Sequence, residues 1–584
     1  MAQDNTPQLP AGERSGESLE RESRGATLLR AAAALLVVGA IVIAMLACLG
    51  FRPGHVAKML GDPATAHEAQ PGAPPAGDKE PPKTLATADY AVIVMYLVAM
   101  LVIGIAVSGG AKTTRSFFIA EGKLHYLLVG LSLLGTYLSA LTMMALSGMS
   151  YGMHDWTFVV QLPFLVLTAV VITRFVLPRY REAGVISVYE YLERRIHVSA
   201  RLIASILFVI FSVGRMGLVL YLPALALYTV SGIPLPLCIA VTGAVITVYT
   251  VLGGIKAVIW TDAIQVLVIV AGAILTVIYV FADIGVGRFV EIGAAHHKFR
   301  WLVPSLDIAK ITTLWLILET IFQTIRIYGT QQDMTQRFMA ADSTARANRS
   351  VWISIVAYIP LGFIFYFLGT AFFVYYKVHA DVPLPLKDDQ AYPHYIAHNF
   401  PPGLAGLFIA AILAASMSTI DSLMNSSSTV CVEDFLKRFA RRLRPDAYYL
   451  RFAQVLTVLW GMLAIGMAML FIKATYAQII WGKLMGILTN GMLGLMALAF
   501  LPFRVDKWAA GIGFAVSWAA LFVMIAHSFD FPPFTWMAPH VPQINYLLWP
   551  VIGNTLCFVV ALVLNPLFSR GHAGALPRQE ALTR

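Results

Sequence analysis

Charge is scarce in this chain. Lys, Arg, Asp and Glu make up 13% of its 584 residues, about half of what a soluble globular domain carries. With 58% hydrophobic residues and a mean hydropathy of +0.73, that scarcity excludes an ordinary water-soluble enzyme. Cysteine is nearly absent. Cys48, Cys238, Cys431 and Cys557 each stand in or at the end of an apolar run, and none has a CxxC partner. This argues against a disulfide framework or a thiolate metal site and for buried free thiols. No GxxxxGK[ST] motif occurs, and no polar stretch after Asp89 is long enough to fold as a nucleotide-binding domain. Any uphill work must therefore draw on a gradient. The apolar runs lack period-2 alternation, which leaves helices as the spanning element.

What the chain has is long apolar runs. About fourteen are long enough to cross a bilayer as helices: 30–51, 88–108, 125–150, 157–178, 202–230, 234–253, 263–285, 311–330, 351–376, 403–432, 449–472, 475–501, 508–527 and 546–568. The net charge of +10 and pI near 9.3 raise nucleic acid as a partner, but the distribution decides otherwise. Alternate loops hold 28 Lys or Arg on one side against 11 on the other. By the positive-inside rule both termini are cytoplasmic, in a multi-pass protein of the plasma (inner) membrane. The organisation read from composition is a polar tail at 1–29, an extra span or signal anchor at 30–51, an external Pro/Ala-rich linker at 52–87, a membrane domain at 88–568 and a basic tail at 569–584. The first apolar core, about 21 residues, exceeds the roughly 7–15 of a signal peptide.

Polar groups recur inside the spans. In AAILAASMSTIDSLMNSSSTVCVEDF (410–435), helical spacing sets the Ala415 carbonyl beside the hydroxyls of Ser418 and Thr419. Uncharged oxygens suit a weakly held monovalent cation such as Na⁺. Helix–helix packing also recruits small and hydroxyl residues. LLVGLSLLGTYLSALTMMALSGMSYG (127–152) sets Ser132, Gly135, Thr136, Ser139 and Thr142 at helical spacing, with Gly135 mid-span. Interrupted helices at that depth line cavities and mark transporter binding sites. Asp421, an acid inside a span, is a coupling or gating candidate by the same reasoning.

Three stretches, in order, carry a resemblance. VLGGIKAVIWTDAIQ (251–265), YGTQQDMTQRFMAADSTARANRS (328–350) and the MST…S…S…ED pattern of 410–435 are similar to motifs of the sodium:solute symporter family, over roughly residues 88–568. The resemblance implies a LeuT-type fold, two inverted five-helix repeats with extra flanking helices. It implies Na⁺ between the broken first and the eighth core helices. The ligands would be the carbonyls of Gly135, Leu138 and Ala415 and the hydroxyls of Ser418 and Thr419. A second Na⁺ would need an acid on the fifth core helix, where an ungapped alignment puts Arg215 or a neighbour; one Na⁺ per solute is the expectation.

The resemblance also places the solute between the first and sixth core helices. Thr136, Tyr137, Ser139 and Thr142 are candidates on the first, and Gln323, Arg326 and Tyr328 on the sixth. Glu319, Gln323 and Arg326 share one helical face, as a polar wall or as a structural Glu–Arg pair. Lys483 lies inside its span or snorkels outward, and Trp481 and the tyrosines offer stacking or gating. Arg and Lys suit a carboxylate, so a small organic anion is expected; a sugar, sialic acid or amino acid, and proton coupling, stay open. The reading is a secondary active transporter working by alternating access, not an enzyme, with lipid and a small solute as partners. A sensor that reuses the fold is the alternative; no fused kinase is seen.

Overall fold

The computed structural model describes residues 85–568, apart from 109–112, 154–155, 386, 441–443, 474–476 and 529–533. The span expected at 30–51, most of the Pro-rich linker and the basic tail lie outside the described residues.

Helices α1 (Thr87–Ser108), then the pair α2 (Tyr126–Tyr137) and α3 (Leu141–Gly152), bent by 53°, open the fold. Next come α4 (Thr157–Ala183), short α5 (Val188–Arg195), α6 (Val198–Ser231), α7 (Leu235–Val248) and α8 (Gly254–Ala295). A second set starts with α9 (Thr313–Thr330) and α10 (Gln332–Ala340). It continues through α11 (Thr344–Val378), short α12 (Ala391–Asn399), α13 (Leu404–Lys437), α14 (Asp446–Leu470) and a pair bent by 49°, α15 (Trp481–Leu488) and α16 (Met492–Ala499). Helices α17 (Lys507–Met524) and α18 (Leu548–Phe568) pack on each other and end the described chain.

Among the described residues, nine helices are long and apolar enough to cross a membrane, or eleven if each bent pair is one span. Of the fourteen runs read from the sequence, 30–51 lies outside the described residues, and two more fall short for physical reasons. Helix α7 is short, and the polar residues Glu319, Gln323 and Arg326 pull down the hydropathy of α9. Burial sorts the helices: 89% of the apolar window of α13 and 78% of that of α6 are buried, against 22% for α1 and 28% for α18. The first two are the core and the last two face outward.

The leading helix of each five-helix set is interrupted, α2/α3 at Leu138 and α9/α10 at Gln331. Side chains make the first break. The Ser139 hydroxyl accepts the Leu141 N–H at 3.2 Å and its carbonyl accepts the Thr142 N–H at 2.9 Å, so Ser139 starts α3 as a cap. The carbonyls of the last turn of α2 are thereby left for other partners. At the end of α9 two tyrosines from outside the helix do the equivalent work: Tyr180 donates to the Gly329 carbonyl (2.5 Å) and Tyr189 to the Thr330 carbonyl (3.0 Å). Between α7 and α8 the chain turns at Gly254, with φ +58°. A Cβ there would lie 2.9 Å from the Phe117 ring, so both the conformation and the close packing require glycine.

The core helix α13 begins at Gly403 without a cap of its own. Asp89 of α1 supplies one: its Oδ1 accepts the N–H of Gly403 and of Gly406, each at 2.7 Å, and it is 3% exposed. Charge-assisted bonds of this kind contribute about 1.5–3 kcal/mol. Asp89→Ala is expected to lower stability by about 2 kcal/mol, read as a lowered melting temperature in detergent, while Asp89→Asn retains part of it. An unchanged melt for Asp89→Ala would show that the cap contributes nothing.

Candidate functional site

The oxygens freed at the first break are met by the hydroxyl face of α13. The Ser418 hydroxyl donates to the Gly135 carbonyl (2.9 Å) and lies 3.3 Å from the Ala415 carbonyl. The Thr419 hydroxyl lies 3.3 Å from the Thr136 carbonyl and 3.5 Å from that of Ala415. Ser418, Thr419, Gly135 and Ala415 are all fully or almost fully buried. Leu138 is where helical geometry stops (φ −83°, ψ 91°), its N–H bonded to the Leu134 carbonyl at 2.7 Å. Thus five oxygens, none charged, gather at the crossing of α2 and α13. Separations near 3.4 Å are what neighbouring ligands have in a six-coordinate shell with bonds of about 2.4 Å. The Thr136 carbonyl was not among the sequence candidates.

Beside this cluster lies a cavity of about 110 Å³, well above the roughly 15 Å³ that one water needs. Of the sequence candidates, Tyr137, Ser139, Thr142, Gln323 and Glu319 line it. Three others do not. The Thr136 hydroxyl donates to the Ser132 carbonyl at 2.9 Å. Arg326 is packed behind the wall, its Nε donating to Gln323 Oε1 (2.8 Å), its Nη2 against Met485 Sδ (2.8 Å) and its plane over Phe211. Tyr328 donates to or accepts from Ser354 (2.8 Å), and its ring backs that of Tyr137 at 5.7 Å. Sequence reasoning did not assign Gln161, Thr320, Thr324, Tyr358 and Tyr546 to the wall. Trp481, noted for stacking, does line it; Lys483, two residues on, is half-buried on α15 and is not among the lining residues.

The base that lines the cavity is Arg215 of α6. Its Nη2 donates to the Thr136 carbonyl at 3.2 Å, its Nη1 lies 3.4 Å from Gln331 and 3.5 Å from Asp333, and it sits 5.0 Å over the Trp481 ring. It therefore bridges the two helix breaks. This corrects the alignment that set Arg215 on the fifth core helix: it is on the third.

The fifth core helix, α8, carries an acid after all. Asp262 is fully buried and accepts from Ser132 Oγ (2.5 Å) and Arg337 Nη2 (2.8 Å). Arg337, also fully buried, reaches Ser132 with Nε (2.7 Å), Ser422 with Nη2 (2.5 Å) and the Asp333 carbonyl with Nη1 (2.8 Å). One guanidinium from α10 thus ties α2, α8 and α13. Asp421 adjoins this group, its Oδ1 accepting from Ser422 at 3.1 Å.

Comparison with known proteins adds three findings. Residues 117–514 match the model of the sodium:solute symporter family. The chain is 30% identical to the sodium/sialic acid symporter SiaT of Proteus mirabilis, over 82% of this chain and 95% of that protein. It is also 30% identical to the human sodium-coupled monocarboxylate transporter 1, over 73% of each. Among solved structures, a Na⁺-coupled sialic acid symporter in its substrate-bound outward-open state superposes with a TM-score of 0.73 at 28% identity, covering 83% of this chain and 98% of that one. A nucleobase-cation-symport-1 family transporter shares the fold at 16% identity and a TM-score of 0.50, over 78% and 95%.

Proposed function

The chain belongs to the sodium:solute symporter family and is a multi-pass, LeuT-type, Na⁺-coupled solute symporter rather than an enzyme; from that premise we propose which residues carry the ion and what the solute must contain. The observation that carries the proposal is the convergence of Ser418 and Thr419 on the carbonyls released by the break at Leu138. A hydroxyl that donates to a carbonyl can rotate its hydrogen away and offer a lone pair, so this cluster changes from a bonded latch to a coordination shell without moving an atom far. Gly135, Leu138, Ala415, Ser418 and Thr419, joined by the Thr136 carbonyl in the same cluster, hold one Na⁺. No net charge is needed, which keeps binding weak enough for release on each cycle.

A single ion site is favoured by Arg337. The carboxylate of Asp262 already has a tethered guanidinium against it, so a second cation there would have to displace a buried ion pair. Asp421, at the edge of the same group, tunes that exchange or gates it, and the excess of Lys and Arg in alternate loops sets both termini in the cytoplasm.

The solute carries a carboxylate. Arg215 lines the cavity; its terminal nitrogens make long contacts of 3.2–3.5 Å to the Thr136 carbonyl, Gln331 and Asp333, which a solute carboxylate can replace with two parallel bonds to the guanidinium fork. The relatives' names agree in this one respect, since sialic acid and monocarboxylates are both acids. Tyr137, Ser139, Thr142 and Gln323 supply the remaining polar contacts. Arg326 and Tyr328 act through them, by holding Gln323 and Tyr137 in place.

The test is uptake into proteoliposomes of labelled carboxylates, neutral sugars and amino acids, each with and without an inward Na⁺ gradient. Na⁺-driven accumulation of acids alone is the expected result; accumulation of neutral sugars in their place would sink the carboxylate reading. Lysine keeps the charge of arginine but not its fork. Arg215→Lys is therefore expected to raise KM for the solute by about tenfold, equivalent to about 1.4 kcal/mol. An unaltered KM would remove Arg215 from the solute site.

A further inference from the structure

The cavity has an acidic end that the carboxylate reading leaves unused. Among the described residues that line it, Arg215 is the one base and Glu319 the one acid. They lie far apart. Arg215 approaches Gln331, just past the end of α9, whereas Glu319 stands twelve positions earlier on that helix, about 18 Å by helical rise. Its helix neighbour Arg326 attracts Glu319 through space only: its donors are on Gln323 and Met485, and it does not line the cavity. Around Glu319 the wall is polar. Thr320 donates to Gln161 Oε1 (2.9 Å), Gln161 Nε2 donates to Tyr366 (3.2 Å), and Tyr546 lines the same end. An ionised carboxylate only accepts hydrogen bonds; the donor within reach of Glu319 is the Thr320 hydroxyl, which it shares with Gln161, so covering the charge with hydrocarbon and no further donor is costly. Plain alkyl acids would seal Glu319 against hydrocarbon.

We propose that the solute is bipolar, with a carboxylate at Arg215 and, at its remote end, a hydrogen-bond-donating group, an ammonium or hydroxyl, that Glu319 accepts. This rests on the carboxylate reading and narrows it: simple alkyl monocarboxylates are poor solutes, and Glu319 is what rejects them.

The experiment measures Na⁺-driven uptake of butyrate, hexanoate and octanoate, each beside its ω-amino and ω-hydroxy derivative, with gluconate as a polyhydroxy acid. Wild type is compared with Glu319→Gln and Glu319→Asp. A site built to bond a donor rejects the analogue that lacks it by large factors. At least about a tenfold advantage in kcat/KM is expected for one derivative or gluconate over the plain acid of matching length. The advantage should collapse in Glu319→Gln and return in part in Glu319→Asp. Whether the amine or the hydroxyl is favoured identifies the donor. Plain acids carried as well as their derivatives would overturn the inference and leave the carboxylate reading standing. Failure of every acid, derivatised or plain, would overturn both. The wild-type comparison alone decides if a variant does not fold.

Discussion

Removing two hydroxyls should uncouple this transporter. In Ser418→Ala/Thr419→Ala, Na⁺-driven uptake is expected to fall by about 100-fold at Na⁺ concentrations that saturate the wild type. Loss of a group that merely orients a metal ligand already weakens binding by about 10–100-fold, and here two proposed ligands go. The fold should survive. Both hydroxyls bond to carbonyls at 2.9–3.5 Å, and the neighbouring Ser422 and Ser426 each return a bond to the turn before, so α13 retains its own ladder. Each single variant should show a higher Na⁺ requirement with the same maximal uptake. The measurement is uptake against Na⁺ concentration, with binding of solute at high Na⁺ as a check on folding. If the double variant takes up solute on the wild-type Na⁺ curve, the ion is elsewhere, and Asp421 becomes the first place to look.

The second large effect concerns stability. Arg337→Met is expected to destabilise the protein by about 3–5 kcal/mol, because it strands the fully buried carboxylate of Asp262. Ser132, Ser422 and the Asp333 carbonyl lose their donor at the same time. The decisive comparison is the double variant Asp262→Asn/Arg337→Met. With the charge gone from both sides it should recover most of the loss, as replacing both members of a buried pair often does. Thermal melts in detergent of the two singles and the double give the coupling between them. Simple addition of the two single losses would show that the pair does not act as a unit.

Much of this architecture could be read before any coordinates. Long apolar runs predict the spans, and a glycine with hydroxyls in mid-span predicts the interruption near Gly135. Helical spacing alone sets Ala415, Ser418 and Thr419 together. What escaped did so for identifiable reasons. The apolar run of the fifth core helix spans 263–285, since Lys256 and Asp262 look like loop residues in a hydropathy profile. Helix α8 in fact starts at Gly254, so Asp262 is two turns inside it. The principle that singled out Asp421, an acid within a span, would have singled out Asp262 had the boundary been right. The sequence marks Arg337 only as part of the 328–350 motif between two apolar runs; helix α10 carries it inward. For Arg326 and Arg215 the difficulty is rotational. Spacing puts Glu319, Gln323 and Arg326 on one face, yet a shift of part of a turn separates a cavity wall from the packing behind it. Arg215 was visible as a charge within a span, but which face of α6 meets the cavity depends on tertiary packing.

One carbonyl has two claimants. The oxygen of Thr136 is shared between Thr419, of the proposed ion shell, and Arg215, of the proposed solute site. Whatever draws the guanidinium away frees that oxygen for the cation, and a cation that takes the oxygen frees the guanidinium for an anion. The two equilibria are then linked, and linkage is reciprocal: solute must tighten Na⁺ binding by the same factor as Na⁺ tightens solute binding. A loaded carrier with both passengers, or an empty one with neither, would be the populated states, and a half-loaded one the rare state. That is the thermodynamic condition for a symporter that does not leak.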